Sequence, residues 1–276
     1  MEKQYKSLHP LKFYRDYLAH GIRPDGRELS KFRPIVVNAG SISTSDGSAI
    51  AKIGKTTVVC GIKAELARPK AETPDKGFVI PNVELPPLCS QQFKPGPPSD
   101  QAQVSTKIIA DIIDNSSCID LKDLCIAKDK LAWCLYVDMV CIDYDGSVID
   151  TCLIALMTAM HTVKLPNVQY DPAIDNQLVN MQEMKPLKVY NVPVSTTFAI
   201  FDDIEILTDP TFEEENLSSG TITVVVKDEE ICSVLKPGGA TVSEDDMLLC
   251  IARGIERGTL VTKLIRNAVQ ESNDED

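Results

Sequence analysis

The stretch from Leu131 to Pro166 constrains the fold more than any other part of the chain, because a long apolar run passes through an Asp-Gly turn into an equally apolar helical pattern. From Trp133 to Ile142 the residues are aromatic, β-branched or sulfur-containing, with only Asp138 charged. That composition predicts a strand buried on most of its surface. Asp145-Gly146-Ser147 supplies turn chemistry, and Cys152, Leu153, Leu156, Met157, Met160 and Val163 then recur at helical spacing. Ile154 and Ala155 fill the opposite side, so this helix is expected to be buried nearly all round. The rest of the chain must pack on this unit, and 276 residues suffice for one large domain or two smaller ones.

A net charge of −12 argues against a stand-alone nucleic-acid binder, since phosphate contacts are made mainly by Lys and Arg. Nine cysteines include no C-x-x-C pair and most have apolar neighbours, so they read as small core hydrophobes in a reducing compartment. The N-terminal segment lacks an apolar signal-type region, and the apolar run near 152–160 is too short to span a bilayer. A soluble protein with no membrane contact is expected. Only His9, His20 and His161 are present, which offers neither a zinc cluster nor a Ser-His-Asp arrangement. No metal and no cofactor is expected, and His161 reads as structural.

In chain order, residues 7–17 predict one short amphipathic helix, stopped at His20-Gly21. Arg23-Pro24-Asp25-Gly26-Arg27 is a tight turn whose arginines either bridge neighbouring elements or capture phosphate. Ile35 to Lys63 reads as an antiparallel meander of three strands. Glu65 to Gly77 is a polar, Pro-broken loop, and its Arg68, Lys70 and Lys76 belong either to a solvated hairpin tip or to a basic finger reaching toward a polyanion. Strand character resumes from Phe78 to Leu88. A Pro-rich connector follows, and Ser99 then caps a helix with a stripe of Val104, Ile108, Ile109, Ile112 and Ile113. Its polar face carries Lys107, Asp111 and Asp114.

Beyond Pro166 the composition turns polar and irregular, with Pro172 and Pro186, which suggests a domain boundary or a long connection. Val192 to Leu207 predicts two strands hinged at Asp202-Asp203, with further strands at Thr221–Val226 and Ile231–Leu235. Ser243 with Asp246 begins a last helix that Gly258 is expected to break, and the acidic tail reads as solvated charge. The group Asp209, Glu213, Glu214 and Glu215 is read as a solvated loop, a divalent-cation site or a source of a general acid.

Four motifs in order, RPDGR, DGSAIAKIGKTTVVCGI, the 133–160 segment and DPTFEEE with GTITVVV, resemble the RNase PH family over about residues 22–257. The resemblance implies an α+β fold with two similar halves of mainly antiparallel strands covered by helices. The implied divisions are an N-terminal helix and turn (1–30), a first half (31–166), a connector (167–190), a second half (191–270) and an acidic tail (271–276). Family members are phosphorolytic 3′→5′ exoribonucleases or their non-catalytic relatives, assembled as six-membered rings around an RNA channel.

Active members open the central helix with Asp-Gly-Gly-Thr-Arg, whose Thr and Arg grip phosphate; this chain has Asp145, Gly146, Ser147, Val148 and Ile149. Active members also carry arginines on the preceding helix, where this chain has Lys107, Asp111 and Asp114. Of the family's two aspartates six residues apart, the first matches Asp209 and the second is replaced by Glu215, so both read as vestigial. The chain is therefore similar to the non-catalytic branch found in the archaeal and eukaryotic exosome. Its implied partners are other RNase PH-like ring subunits, S1- and KH-type cap subunits and single-stranded RNA in the channel, with Arg68 and Lys70 as RNA contacts. The implied location is nucleus, including nucleolus, and cytoplasm. Two rival readings are an active exoribonuclease using Asp209 as general acid in a composite site, and an acidic adaptor unrelated to RNA.

Overall fold

The computed structural model describes residues 2–171 and 176–275. Where one N-terminal helix is expected there are two, α1 (Glu2–Leu8) and α2 (Pro10–Leu18). Pro10 explains the break: it lacks the N–H that would continue the first helix but suits the first position of the second.

The first sheet begins as the expected meander, β1 (Ile35–Ala39), β2 (Gly47–Ile53) and β3 (Thr56–Ala67). It continues with β4 (Phe78–Glu84), helix α3 (Asp100–Ser116), β5 (Cys125–Ala127) and the long β6 (Leu131–Asp143). Strand order is β1-β2-β3-β6-β4, with β5 also on β6, and β4 runs parallel to β6. β6 buries Trp133, Leu135, Val137, Met139 and Cys141, but Tyr136 and Ile142 on its other face are 39% and 40% exposed. Burial on most of the strand surface is thus corrected to burial of one face along its second half. α4 (Val148–Thr162) lies against β2 and β3 on one side of this sheet. Twelve of its 15 residues are buried, as the all-round apolar pattern requires. α3 is capped by Ser99, whose hydroxyl accepts from the Ala102 N–H at 3.3 Å. Its buried stripe is Ala102, Ser105, Ile109, Ile112 and Ile113; Val104, expected in that stripe, faces outward.

After α4 the chain forms a two-stranded hairpin, β7 (Lys164–Asp171) with β8 (Asn176–Pro186), where an irregular connection is expected. The polar composition conceals these strands, because most side chains of β8 are exposed and no hydrophobic alternation is needed. Pro172 lies outside the described residues. The second sheet contains β9 (Val194–Phe201), β10 (Glu205–Thr208), β11 (Gly220–Lys227) and β12 (Glu230–Leu235) in the order β10-β9-β11-β12, with the short α5 (Phe212–Leu217) between β10 and β11. Every residue of β9 is buried. Ala199 and Phe201 pack with Phe13, Tyr14 and Leu18 of α2, while Phe198 and Ile200 pack with Cys250 of the last helix, α6 (Glu244–Glu275).

Ser243 begins α6 as expected, accepting from the Asp246 N–H at 3.1 Å. Gly258 does not break the helix, which continues through Glu275 into the acidic tail, where Glu271 and Asp274 are exposed. Gly254 and Gly258 lie one turn apart and face β11. A Cβ at Gly258 would fall 2.8 Å from Val226 Cγ2. The glycines permit close packing of helix on sheet, and that packing outweighs their poor helix propensity.

Candidate functional site

The entry to α4 meets the loop between β10 and α5. Gly146 and Ser147 have φ of 77° and 50°, and a Cβ at position 146 would lie 2.6 Å from the Pro210 carbonyl. Glycine therefore lets residues 209–212 lie directly against the turn. Thr56 fastens it from the sheet side: its hydroxyl donates to the Gly146 carbonyl at 2.7 Å and accepts from the Asp145 N–H at 3.0 Å. The Ser147 hydroxyl donates to the Pro210 carbonyl at 3.1 Å.

The first N–H groups of a helix lack intrahelical acceptors and attract an anion. Here the Ser147 N–H donates to Glu215 Oε1 at 2.7 Å, so the chain's own carboxylate occupies this end of the helix. Val148 and Ile149 follow with apolar side chains that cannot bind an anion. Burial pushes the Glu215 carboxyl up to about 7, against the Ser147 N–H and the Arg33 charge, which pull it down. Its second oxygen accepts from the Tyr144 hydroxyl at 3.5 Å.

Asp209 is fully buried, with φ 52°. Burial alone would raise its carboxyl. Hydrogen bonds from Arg33 and the positive charges of Arg257 and Arg33 outweigh burial and hold it at about 2. The Arg33 N–H, Nε and Nη2 donate to this carboxylate at 2.8, 3.1 and 2.7 Å. Arg33 Nη1 also reaches the Asp145 carbonyl at 2.7 Å, joining the two loops. A fixed bidentate guanidinium leaves Asp209 ionised, with its oxygens already occupied.

The RPDGR turn acts as a bridge. Arg23 is fully buried and donates to the carbonyls of Thr208 at 2.5 Å and Leu29 at 2.6 Å, with Glu214 at 3.4 Å. Arg27 is held by Asp25 at 2.6 Å and by the Lys31 and Asp209 carbonyls at 3.1 and 3.2 Å. These contacts fit the bridging alternative rather than phosphate capture, although Arg23 Nε and Arg27 Nη2 are buried without a hydrogen-bond partner.

The four acidic residues do not converge. Glu213 pairs with Lys6 and accepts from the Tyr14 hydroxyl at 2.6 Å, while Glu214 closes a capping box with Thr211. Among the described residues no three His, Cys, Asp or Glu side chains form a metal-binding group. On α3, Lys107 is paired with Asp111 at 2.6 Å, and Asp114 is exposed. Arg68 and Lys70 lie exposed on the β3–β4 loop. Arg68 Nε donates to the Asp129 carbonyl at 3.3 Å and Lys70 sits 5.9 Å from the Phe78 ring centre.

Three residues that sequence reasoning missed organise the interior. Arg33 stands before β1 in a segment with no local signal. Asp150, in the first turn of α4, is fully buried and accepts from the Ser195 hydroxyl at 2.8 Å, the Thr197 N–H at 2.9 Å and Arg257 Nη1 at 2.9 Å. An acid in the first turn of an otherwise apolar helix is the one cue that pointed there. Arg257 in turn lies over the Phe32 ring, 4.7 Å from its centre.

Comparison with known proteins gives consistent matches. The 3′ exoribonuclease family, RNase PH, matches with its domain 1 over residues 31–166 and its domain 2 over residues 191–257. Exosome complex component rrp43 of Schizosaccharomyces pombe is 40% identical over 248 residues, covering 90% of this chain and 92% of that protein. Exosome complex component Rrp42 of Methanothermobacter thermautotrophicus is 32% identical, covering 89% and 90%. A chain in the solved structure of the Archaeoglobus fulgidus exosome with RNA bound to the active site superposes with a TM-score of 0.82 at 29% identity, covering 92% of this chain and 96% of that one.

Proposed function

The chain belongs to the RNase PH family of 3′ exoribonucleases, and from that premise we propose that it is a non-catalytic core-ring subunit of an RNA exosome. The observation that carries the silent reading is the Glu215 carboxylate on the Ser147 N–H. Phosphorolysis needs inorganic phosphate as nucleophile, held by fixed cations and backbone donors. At this helix N-terminus the donor is taken by a carboxylate, and Val148-Ile149 replaces the anion-gripping pair. Asp209, the general acid of the rival reading, has a carboxyl held at about 2 and so carries no proton near neutrality.

Assembly is supported by the names of the relatives and by apolar surface that the folded chain leaves uncovered. The free face of the first sheet exposes Ile80 and Ile142, and the β7–β8 hairpin exposes Leu178, Met181 and Met184. In the proposed ring the subunit packs against other RNase PH-like subunits, carries S1- and KH-type caps and helps enclose a channel for single-stranded RNA. Arg68 and Lys70 are the proposed RNA contacts, being exposed cations on one loop of an otherwise acidic chain. All nine cysteines are free, in keeping with a reducing nuclear or cytoplasmic location.

The test is reconstitution. On co-expression with RNase PH-like subunits, the chain is expected to enter a hetero-oligomer of ring mass, and purified alone or paired with each neighbour it should release no nucleoside diphosphate from RNA in phosphate. Phosphate-dependent release that disappears when this chain is omitted overturns the silent reading. A chain that stays monomeric with every such subunit overturns the ring.

A further inference from the structure

A cleft of about 430 Å³ opens between α3, the N-terminus of α4 and the β11–β12 hairpin. Its walls carry Val104 and Ile108 from α3, Val148 and Ile149 from α4, and Val234 and Leu235 from β12. Val104 and Val234 are 57% and 41% exposed although both line a concavity. Concave apolar surface with a few fixed polar groups is what a side chain of a partner fills.

Charge narrows the choice of occupant. Glu215 lines the same cleft and, among the described residues, forms no ion pair; its polar contacts are the Ser147 N–H at 2.7 Å and the Tyr144 hydroxyl at 3.5 Å. The Tyr144 hydroxyl is itself engaged by Gln101 Nε2 at 2.7 Å. Lys236, the cation of the lining, is turned to the Gly238 carbonyl at 3.0 Å. A half-buried carboxylate with no described cation within ion-pair distance, and only the Arg33 charge acting on it from further off, complements an apolar side chain next to a positive charge when it lies beside uncovered valines. When ionised, the same carboxylate repels a phosphodiester.

We propose that this cleft docks a polypeptide segment of a protein partner, with an apolar side chain seated between Val104 and Val234 and an adjacent lysine or arginine reaching Glu215. The proposal rests on the cleft being silent in phosphorolysis, and the release assay above tests that separately. A peptide result leaves that assay unaffected, and nucleotide release leaves the peptide result readable.

Affinity selection from a random heptapeptide library on the full chain tests it. Selected peptides should combine apolar residues with a Lys or Arg and should shift the methyl signals of Val104, Ile108 and Val234 in a methyl-labelled sample. Val104→Glu, at an exposed position that the fold tolerates, should weaken them at least about tenfold, the scale of one lost apolar contact with a charge put in its place. Glu215→Gln should remove the preference for Lys or Arg while retaining the apolar one. The proposal is overturned by no enrichment over bare support, by binding indifferent to Val104→Glu, or by oligoadenylate RNA shifting the same methyl signals.

Discussion

At the residue scale, two carboxylates six positions apart have been driven in opposite directions. Asp209 has its carboxyl lowered in the folded state to about 2, so it contributes stability above the ordinary Asp range and loses it as pH falls toward 2. Glu215 has its carboxyl raised by burial to about 7 from an ordinary 4.5. Between those values the folded state binds more protons than the unfolded one, so this residue makes stability fall as pH rises from about 4.5 to about 7. Glu215→Gln removes that slope. The variant is expected to gain on the parent by about 2–3 kcal/mol between pH 4 and pH 8, read from urea midpoints. A difference that does not change with pH would show that Glu215 is not held in an ionisation-averse site.

At the scale of elements, the last helix owes its continuity and its seat to two glycines that respond differently to the same change. A Cβ at Gly254 meets Val224 Cγ1 at 3.6 Å, an ordinary contact, so Gly254→Ala should stabilise the protein by about 0.5–1 kcal/mol through helix propensity. At Gly258 the Cβ would meet the β-branched Val226 at 2.8 Å. There the overpacking cost of about 1–3 kcal/mol exceeds the propensity gain, and Gly258→Ala should destabilise. Denaturant midpoints of the two variants moving the same way would contradict this account of how α6 seats on β11.

At the scale of the molecule, Asp150 joins the halves: it begins on α4 and is bound by β9 and α6. Asp150→Ala leaves the Arg257 guanidinium buried without its anion, and Arg257 Nε and Nη2 already lack hydrogen-bond partners. The expected cost is about 3–5 kcal/mol. The single tryptophan, Trp133, lies in the first sheet and reports on that half alone. Its fluorescence and the backbone circular dichroism should unfold together in the parent chain, while in Asp150→Ala the circular dichroism should lead. Coincident transitions in the variant would mean that the halves are coupled elsewhere.

The elements and their order were legible in the sequence because each is encoded locally, by the apolar run of 133–142, the helical spacing of 152–163, the caps at Ser99 and Ser243 and the hairpin signals of 35–63. The family signature was legible for the same reason, since Asp145 to Ile149 and Asp209 to Glu215 are contiguous motifs. The β7–β8 hairpin escaped because exposed polar strands carry no alternation, and the Gly258 break was misplaced because helix propensity is local whereas the contact with Val226 is not. Only the tertiary structure decided what the polar residues do. Arg33 and Asp209 are 176 positions apart, and Ser147 and Glu215 are 68 apart. Hydrogen bonds and ion pairs over such separations depend on how two sheets and three helices pack, and no local pattern records them. The sequence by itself determined that the anion-gripping side chains are missing; the packing of the 209–215 loop on the entry to α4 decided that a carboxylate stands in their place.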